Sequence, residues 1–408
     1  MTDATGRSFL SYRRSRVKEA CLLVEAQHDV GIPTWQDIDD LDEQQTDEKL
    51  REVLADPLTA NALAWLTPDV ATSPTITKTE LPGIVRRIER KDPFFLVPVA
   101  AGGLDYGDIT SVVGTYVGTH DIGQWNVRKV TANPIIERDA VAIAGHVLKR
   151  RIEAVHTQVP ADAPIRLGLY TRKKPAFVPG MALPIDWTHR FDRRVAKPDT
   201  WEWRLLPALE RVAQACERYA PGRRIVAEGL CALPAAIALG TTFVATRRLP
   251  IGWIQFHPKR GTQLWGLEAT REPSGFDGEV HSDSNVADDL AVLVSVASDV
   301  IPAFSVSRPS LPQFRGHVLV HRPGSYPHDL ETPGQALDLV GVVLETLKRA
   351  RDEFQARGIV HLFLSVPAGV AMMIGQCLNT IGPVQTYEHI PRNAVGAYTP
   401  AALLRPSE

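Results

Sequence analysis

Cysteine is scarce in this sequence: four in 408 residues, at positions 21, 216, 231 and 377. They lie far apart and form no Cys-x-x-Cys pair. That excludes a disulfide framework and a cysteine zinc site, and buried free thiols that pack like small hydrophobes are expected. An excess of one charge is also missing. The 45 Lys and Arg against 47 Asp and Glu leave a formal net charge of −2, so there is no global basic field to hold a long nucleic acid. A local pocket for a small anion is still compatible with this balance. Long apolar runs are absent too. The most apolar stretch, 290–304, is interrupted by Asp299 and Pro302 and is too short and broken to span a bilayer. The first seven residues are polar and lack the apolar centre of a secretory leader, so a cytoplasmic location is expected. There is no Gly-x-Gly-x-x-Gly fingerprint, no phosphate-binding P-loop, no His-Glu-x-x-His and no Gly-x-Ser-x-Gly elbow after a strand. These gaps exclude dehydrogenase-type dinucleotide binding, zinc-protease chemistry and serine-hydrolase chemistry.

What is present reads as ordinary globular protein, with 44% hydrophobic and 23% charged residues. At ~150 residues per domain, two or three domains are expected, each able to bury its own core. Over the first 155 residues, strand and helix patterns alternate. Strands are predicted at 8–12, 30–35, 62–66 and 93–100. Helices are predicted at 14–28, 44–54, 81–88 and 136–152. This alternation implies a parallel sheet covered on both faces. Residues 156–164 contain two prolines and little apolar content, and read as a linker.

The remainder, 165–408, contains an internal repeat. Ile225 to Leu239 resembles Ile359 to Met373. Pro234 and Pro367 lie 133 positions apart, as do Pro250 and Pro383. An amphipathic helix precedes each copy. One spans 203–219, with Leu205, Leu209, Val212 and Cys216 in its stripe. The other spans 335–356, with Gly358 expected as its C-cap. Each half therefore reads strand, helix, strand, small-residue helix, strand. A ligand site is expected where the strand C-termini of the two halves converge.

Two family resemblances follow from particular residues. Ser8-Phe9-Leu10-Ser11-Tyr12 with Arg13-Arg14-Ser15, Gly31 to Asp37 with the acidic run 39–43, and Ala64 to Pro68 followed by Thr79-Glu80-Leu81 resemble successive pieces of a TIR domain. Leu290 to Asp299, Gly316 to Val320, His361 to Gly369 and Val384 to His389 resemble the SAVED sensor domain. The combination is similar to the TIR–SAVED effectors of cyclic-oligonucleotide-based antiphage signalling (CBASS). The fold implied is α/β: a flavodoxin-like TIR domain over 1–155, then a SAVED domain over 165–408 made of two pseudo-symmetric Rossmann-like (CARF-like) halves. The resemblance implies that a cyclic oligoadenylate, with cyclic tri-adenylate favoured, binds the sensor. It also implies that the chain then self-associates head to tail into a filament and cleaves NAD+ as substrate, with no cofactor, no metal, no long nucleic acid and no membrane. The alternative is a TIR adaptor that recruits a protein without catalysis.

The same resemblance makes Glu80 the catalytic carboxylate. Cleaving the nicotinamide N-glycosidic bond expels a neutral leaving group and leaves positive charge on the ribose, which one fixed carboxylate stabilises. The structural alternative is a helix cap, since Thr77-x-x-Glu80 has the spacing of a capping box and Thr79 is a rival N-cap. Tyr12, Arg13, Trp35 and Asp37 are candidate substrate contacts. Arginine suits a pyrophosphate and Trp35 a ring, while core packing or solvated charge explains each equally well. In the sensor, Arg172, Lys173 and Lys174 follow a strand, and Arg392 lies in the C-terminal segment, all as candidate phosphate contacts. Glu228, Ser298, Asp299, Ser365, Pro367 and Ala368 lie at strand ends or helix entries. Trp253 and Tyr387, near register in the two copies, are candidates to stack on bases or to fill the core.

Overall fold

The computed structural model describes residues 1–36, 46–113, 126–197, 199–284, 286–391 and 395–405. The chain divides into two compact units. The first holds residues 1–167, 175–186 and 218–220, and the second holds 168–174, 187–217 and 221–408.

In the first unit the order is β1 (Arg7–Ser11), α1 (Val17–Asp29), β2 (Thr34–Trp35), α2 (Thr46–Ala55), β3 (Thr59–Leu66), α3 (Leu81–Glu89), β4 (Phe95–Ala100), α4 (Tyr106–Val113), β5 (Arg128–Lys129) and α5 (Glu137–Gln158). The sheet runs β2-β1-β3-β4-β5 with every neighbouring pair parallel. That is the flavodoxin-like order, with its switch point between β1 and β3. β3 is buried along all eight residues, as a central strand covered on both faces must be. Alternation sends Ala62, Ala64 and Leu66 into one core with Phe9, Trp35, Leu50, Leu81 and Ile84. Trp65 points to the other face, where its indole Nε1 donates to the buried Glu19 of α1 at 2.7 Å. On α5, the fully buried Arg151 donates to three backbone carbonyls: Thr5 and Ala182 at 2.7 Å and Gly6 at 2.6 Å. α5 continues to Gln158, so residues 156–158 of the expected linker are helical.

β6 (Ile165–Tyr170) follows, then β7 (Leu183–Asp186) and a small hairpin of β8 (Phe191–Asp192) and β9 (Val195–Ala196). The first half of the second unit continues with α6 (Leu206–Tyr219), β10 (Ile225–Glu228), α7 (Leu233–Thr242), β11 (Ile251–His257) and β12 (Gly261–Trp265). The later half holds β13 (Asp277–Ser282), β14 (Leu290–Ser295), α8 (Ile301–Ser307), β15 (Gly316–His321), α9 (Pro333–Phe354), β16 (Val360–Ser365), α10 (Ala368–Gln376), β17 (Val384–Ile390) and β18 (Ala397–Leu404). The strand orders are β12-β11-β10-β6 and β13-β15-β14-β16-β17-β18.

The repeat read from the sequence is structural. β10 pairs in parallel with β11 from Ile225↔Ile251, and β16 with β17 from Val360↔Val384. In each half the last of these strands turns back into an antiparallel edge, β12 or β18. The small-residue helices α7 and α10 pack against each other. A Cβ added to Gly240 would overlap the carbonyl of Met372 and stand 2.9 Å from Gln376 N. One added to Gly375 would overlap the carbonyl of Ile237 and stand 3.1 Å from Gly240 Cα. The glycines are required because each helix rests on the other's backbone. Two further expectations are corrected. α9 ends on Gln355 in the left-handed region (φ 53°), not on Gly358. Gly358 instead leaves room for the Asp288 backbone and the Asp289 carboxylate, which a Cβ would overlap. Cys21 is exposed, whereas Cys216 and Cys231 are buried, and burial pushes both of their thiols up to about 12.

Candidate functional site

In the first unit, the chemistry-bearing side chains meet at the β1/β3 switch point. Ser11 ends β1 and shares the face of Phe9, two residues earlier. Its Oγ donates to Glu80 Oε2 at 2.5 Å. Glu80 is 8% exposed and closes a π-helical turn, Ile76–Glu80, that leads into α3. Such turns break the regular backbone ladder and concentrate at functional positions. The capping alternative is corrected here. Neither this turn nor α3 has a side-chain cap hydrogen bond, and Thr77 Oγ1 donates instead to the Ser73 carbonyl at 2.7 Å. Asp69 ties the loop after β3 to the loop after β1. It accepts from Thr67 Oγ1 at 2.5 Å and Ser15 Oγ at 2.8 Å, and Arg13 Nε lies 3.7 Å away. Burial pushes the Asp69 carboxyl upward, but these hydroxyls and the Arg16 charge outweigh it and hold it below its ordinary value.

Of the other candidate substrate contacts, Tyr12 is buried directly after β1. Trp35 is 3% exposed and stacks on Phe9 with centroids 5.2 Å apart. Its ring therefore belongs to the core and offers no face to a ligand, a correction to its assignment as a substrate contact. Asp37 lies outside the described residues.

In the second unit two neighbouring cavities share Arg194 and Glu388 as walls. The smaller, of about 260 Å³, is also lined by Arg172, Ser298, Asp299, Ser365 and Tyr398. The larger, of about 430 Å³, is also lined by Lys197, Trp201, Pro400, Ala401 and Arg405. Pro400 and Ala401 lie where β18 changes register against β17, between Gln385↔Leu403 and Tyr387↔Pro400. Bulged edges of this kind re-aim a strand beside a site.

Loops at the C-terminal ends of the parallel strands build the smaller cavity, and each half stitches its two loops together with hydroxyls. After β6, Thr171 Oγ1 accepts from Ala232 N at 2.8 Å. After β14, Ser298 N donates to Ser365 Oγ at 3.0 Å, and the two hydroxyls are 2.7 Å apart. Arg172 Nη2 donates to Glu388 Oε1 at 2.7 Å. Arg194, in the β8–β9 turn, reaches the His389 carbonyl at 3.4 Å. Burial raises the Glu388 carboxyl to about 7, against the opposing pull of Arg172 and Arg194.

Five of the sensor candidates, Arg172, Ser298, Asp299, Ser365 and Tyr387, line the smaller cavity. Tyr387 is a wall and not a stacking platform. Its ring lies on Phe363 at 4.4 Å and its hydroxyl pairs with His361 Nδ1 at 2.8 Å, inside the core. Trp253 is 2% exposed under Gly369 and is likewise corrected to a packing residue. Lys173 and Lys174 are exposed and line neither cavity, and Pro367 and Ala368 start α10 without lining one. Glu228 ends β10 half-buried. Arg392 lies outside the described residues. Ser11, Asp69, Arg194 and Glu388 were not singled out from the sequence. None of the four carried a distinctive signal: Glu388 sits in a strand that also holds Gln385, Thr386 and His389. Among the described residues no group of His, Cys, Asp and Glu could hold a metal ion, and no helix is long and apolar enough to cross a membrane.

Residues 208–404 match the family model for SAVED, the "SMODS-associated and fused to various effectors sensor domain". No curated protein matches the chain. Among solved structures, the chain is similar to the Cap4 SAVED/CARF-domain containing receptor of Acinetobacter baumannii with the cyclic trinucleotide 2'3'3'-cAAA (12% identity, 90% of this chain and 86% of that one, TM-score 0.49). It is similar to the same receptor with 3'3'3'-cAAA (12% identity, 95% and 98%, TM-score 0.49). The Cap4 receptor of Moraxella osloensis is also similar (12% identity, 97% and 100%, TM-score 0.43).

Proposed function

We propose that the second unit is a receptor for a cyclic oligonucleotide of the tri-adenylate class, and that its occupancy switches on NAD+ cleavage by the first unit, read as a TIR effector. The observation that carries this reading is the pair of joined cavities at the strand ends of a domain that matches a sensor family. Their size suits a small nucleotide. Arg172 and Arg194 supply the guanidinium donors that phosphate oxygens need, and the Ser298 and Ser365 hydroxyls add neutral ones.

In the first unit, Glu80 carries the chemistry. The bond between the ribose anomeric carbon and the pyridinium nitrogen breaks, and its electron pair neutralises the nicotinamide. The carboxylate of Glu80, fixed by Ser11, stabilises the cation left on the sugar. Water then adds at that carbon and releases one proton, giving ADP-ribose. Activation couples the units by mass action: ligand-bound chains associate head to tail, and a heterologous contact that does not close extends into a filament. Calorimetric titration with cyclic tri-adenylate tests the receptor half. Wild type should bind, and Arg194→Ala should lose at least tenfold in affinity. Equal binding by the two proteins would refute the placement of the ligand.

A further inference from the structure

A buried carboxylate is an odd wall for a cavity that receives phosphates. Glu388 projects from β17 into the space shared by both cavities. Its side chain is 6% exposed, whereas that of its partner Arg172 is 24% exposed. Arg172 is therefore the outer member of the pair and Glu388 the inner one. An incoming anion meets the guanidinium first, and a ligand amino group would have to displace Arg172 before it could touch the carboxylate. The groups around Glu388 are Arg172 from the loop after β6, Arg194 from the β8–β9 turn, Cys231 just before α7, and Tyr398 of β18, which also faces Asp299. Among the described residues, the cations that pull on its carboxyl are Arg172 and Arg194, while Lys197 and Arg405 share the wall of the larger cavity with it.

We infer that Glu388 is a built-in counter-ion that holds Arg172 and surrenders it to a ligand phosphate, taking up a proton from solvent as it does so. The inference rests on the cyclic-oligonucleotide reading of the cavities. Once Arg172 turns to the phosphate, the carboxylate has lost a partner and gained a nearby negative charge. Both changes favour its protonated form. The balance is simple: one proton from water ends on a Glu388 oxygen, the Arg172 hydrogen bond passes to a phosphate oxygen, and no covalent bond changes. While Arg172 still holds the carboxylate, burial already raises it to about 7, so the exchange falls in the physiological range.

The test is calorimetric titration of the full chain with cyclic tri-adenylate at pH 6, 7 and 8, in two buffers of different ionisation enthalpy. The expected result for wild type is proton uptake that grows from pH 6 to pH 8, and affinity that weakens by up to about tenfold per unit above pH 7. Glu388→Gln should take up no proton, show a flat pH profile and bind more tightly than wild type at pH 8. Binding by Glu388→Gln alone would support the proposal in its strongest form. Wild-type binding without proton uptake, or weaker binding by Glu388→Gln at pH 8, would overturn it, the latter by making the carboxylate a direct ligand contact. Binding by neither protein would overturn the receptor reading itself, and the inference with it.

Discussion

Alanine at Gly240 or Gly375 probes the crossing that joins the two halves of the second unit. In a free helix each change would gain about 0.5–1 kcal/mol, because glycine loses the most backbone freedom on folding. Here the new methyl meets only main-chain atoms: the Met372 carbonyl and Gln376 N in one case, the Ile237 carbonyl and Gly240 Cα in the other. No rotamer change relieves that overlap, so α7 and α10 must part. Overpacking costs of about 1–3 kcal/mol are usual where side chains can adjust, and a backbone clash belongs at the upper end. The expected net loss is therefore about 2 kcal/mol for each single variant. Once the helices have moved apart for one methyl, the second enters more cheaply, so the double variant should lose less than the sum of the singles. Urea unfolding of the full chain, analysed for all four members of the cycle, reads both quantities. Stabilisation by either alanine, or strictly additive losses, would refute the close crossing.

Three further outcomes are expected. Arg151→Met removes the donor from three buried carbonyls, and should cost about 3–5 kcal/mol in chemical denaturation; a loss below about 1 kcal/mol would contradict that role. Glu388 binds its proton more tightly in the folded chain (about 7) than at its ordinary value of 4.5. Its contribution to stability is thus fully present at low pH and is lost as pH rises from about 4.5 to 7, by roughly 3 kcal/mol at most. Glu388→Gln should flatten that part of the melting-temperature profile, and an unchanged slope would exclude Glu388 as its source. Ser11→Ala removes one hydrogen bond that orients the Glu80 carboxylate, and should lower kcat for NAD+ cleavage about tenfold while KM stays near wild type; an unchanged kcat would show that Ser11 does not position it.

The second unit was legible in outline because its repeat leaves a periodic trace. Pro234 and Pro367 begin equivalent helices, and the strand pairs from Ile225 and Val360 keep the same parallel register. The first unit was legible through alternation, although β2 is only two residues long where six were expected. What stayed hidden was direction within an element. A tryptophan at a strand end looks the same in sequence whether it faces a ligand or Phe9, and only the tertiary stack decides for Trp35. Trp253 and Tyr387 went the same way, because period-two alternation marks a buried face without saying whether that face borders a core or a cavity. The Thr77–Glu80 spacing suggested a cap, but a π-helical turn shifts the side chains and turns Glu80 toward Ser11. Pairings across long separations, Arg172 with Glu388 and Ser298 with Ser365, leave no local signature in a single sequence.

NAD+ consumption by the purified chain, with and without cyclic tri-adenylate and in wild type beside Glu80→Gln, bears most directly on the central claim. The account predicts cleavage only when the cyclic nucleotide is present, and none in the variant even though it binds that nucleotide as tightly as wild type. Tight binding by wild type with no NAD+ loss, or cleavage that survives Glu80→Gln, would contradict it.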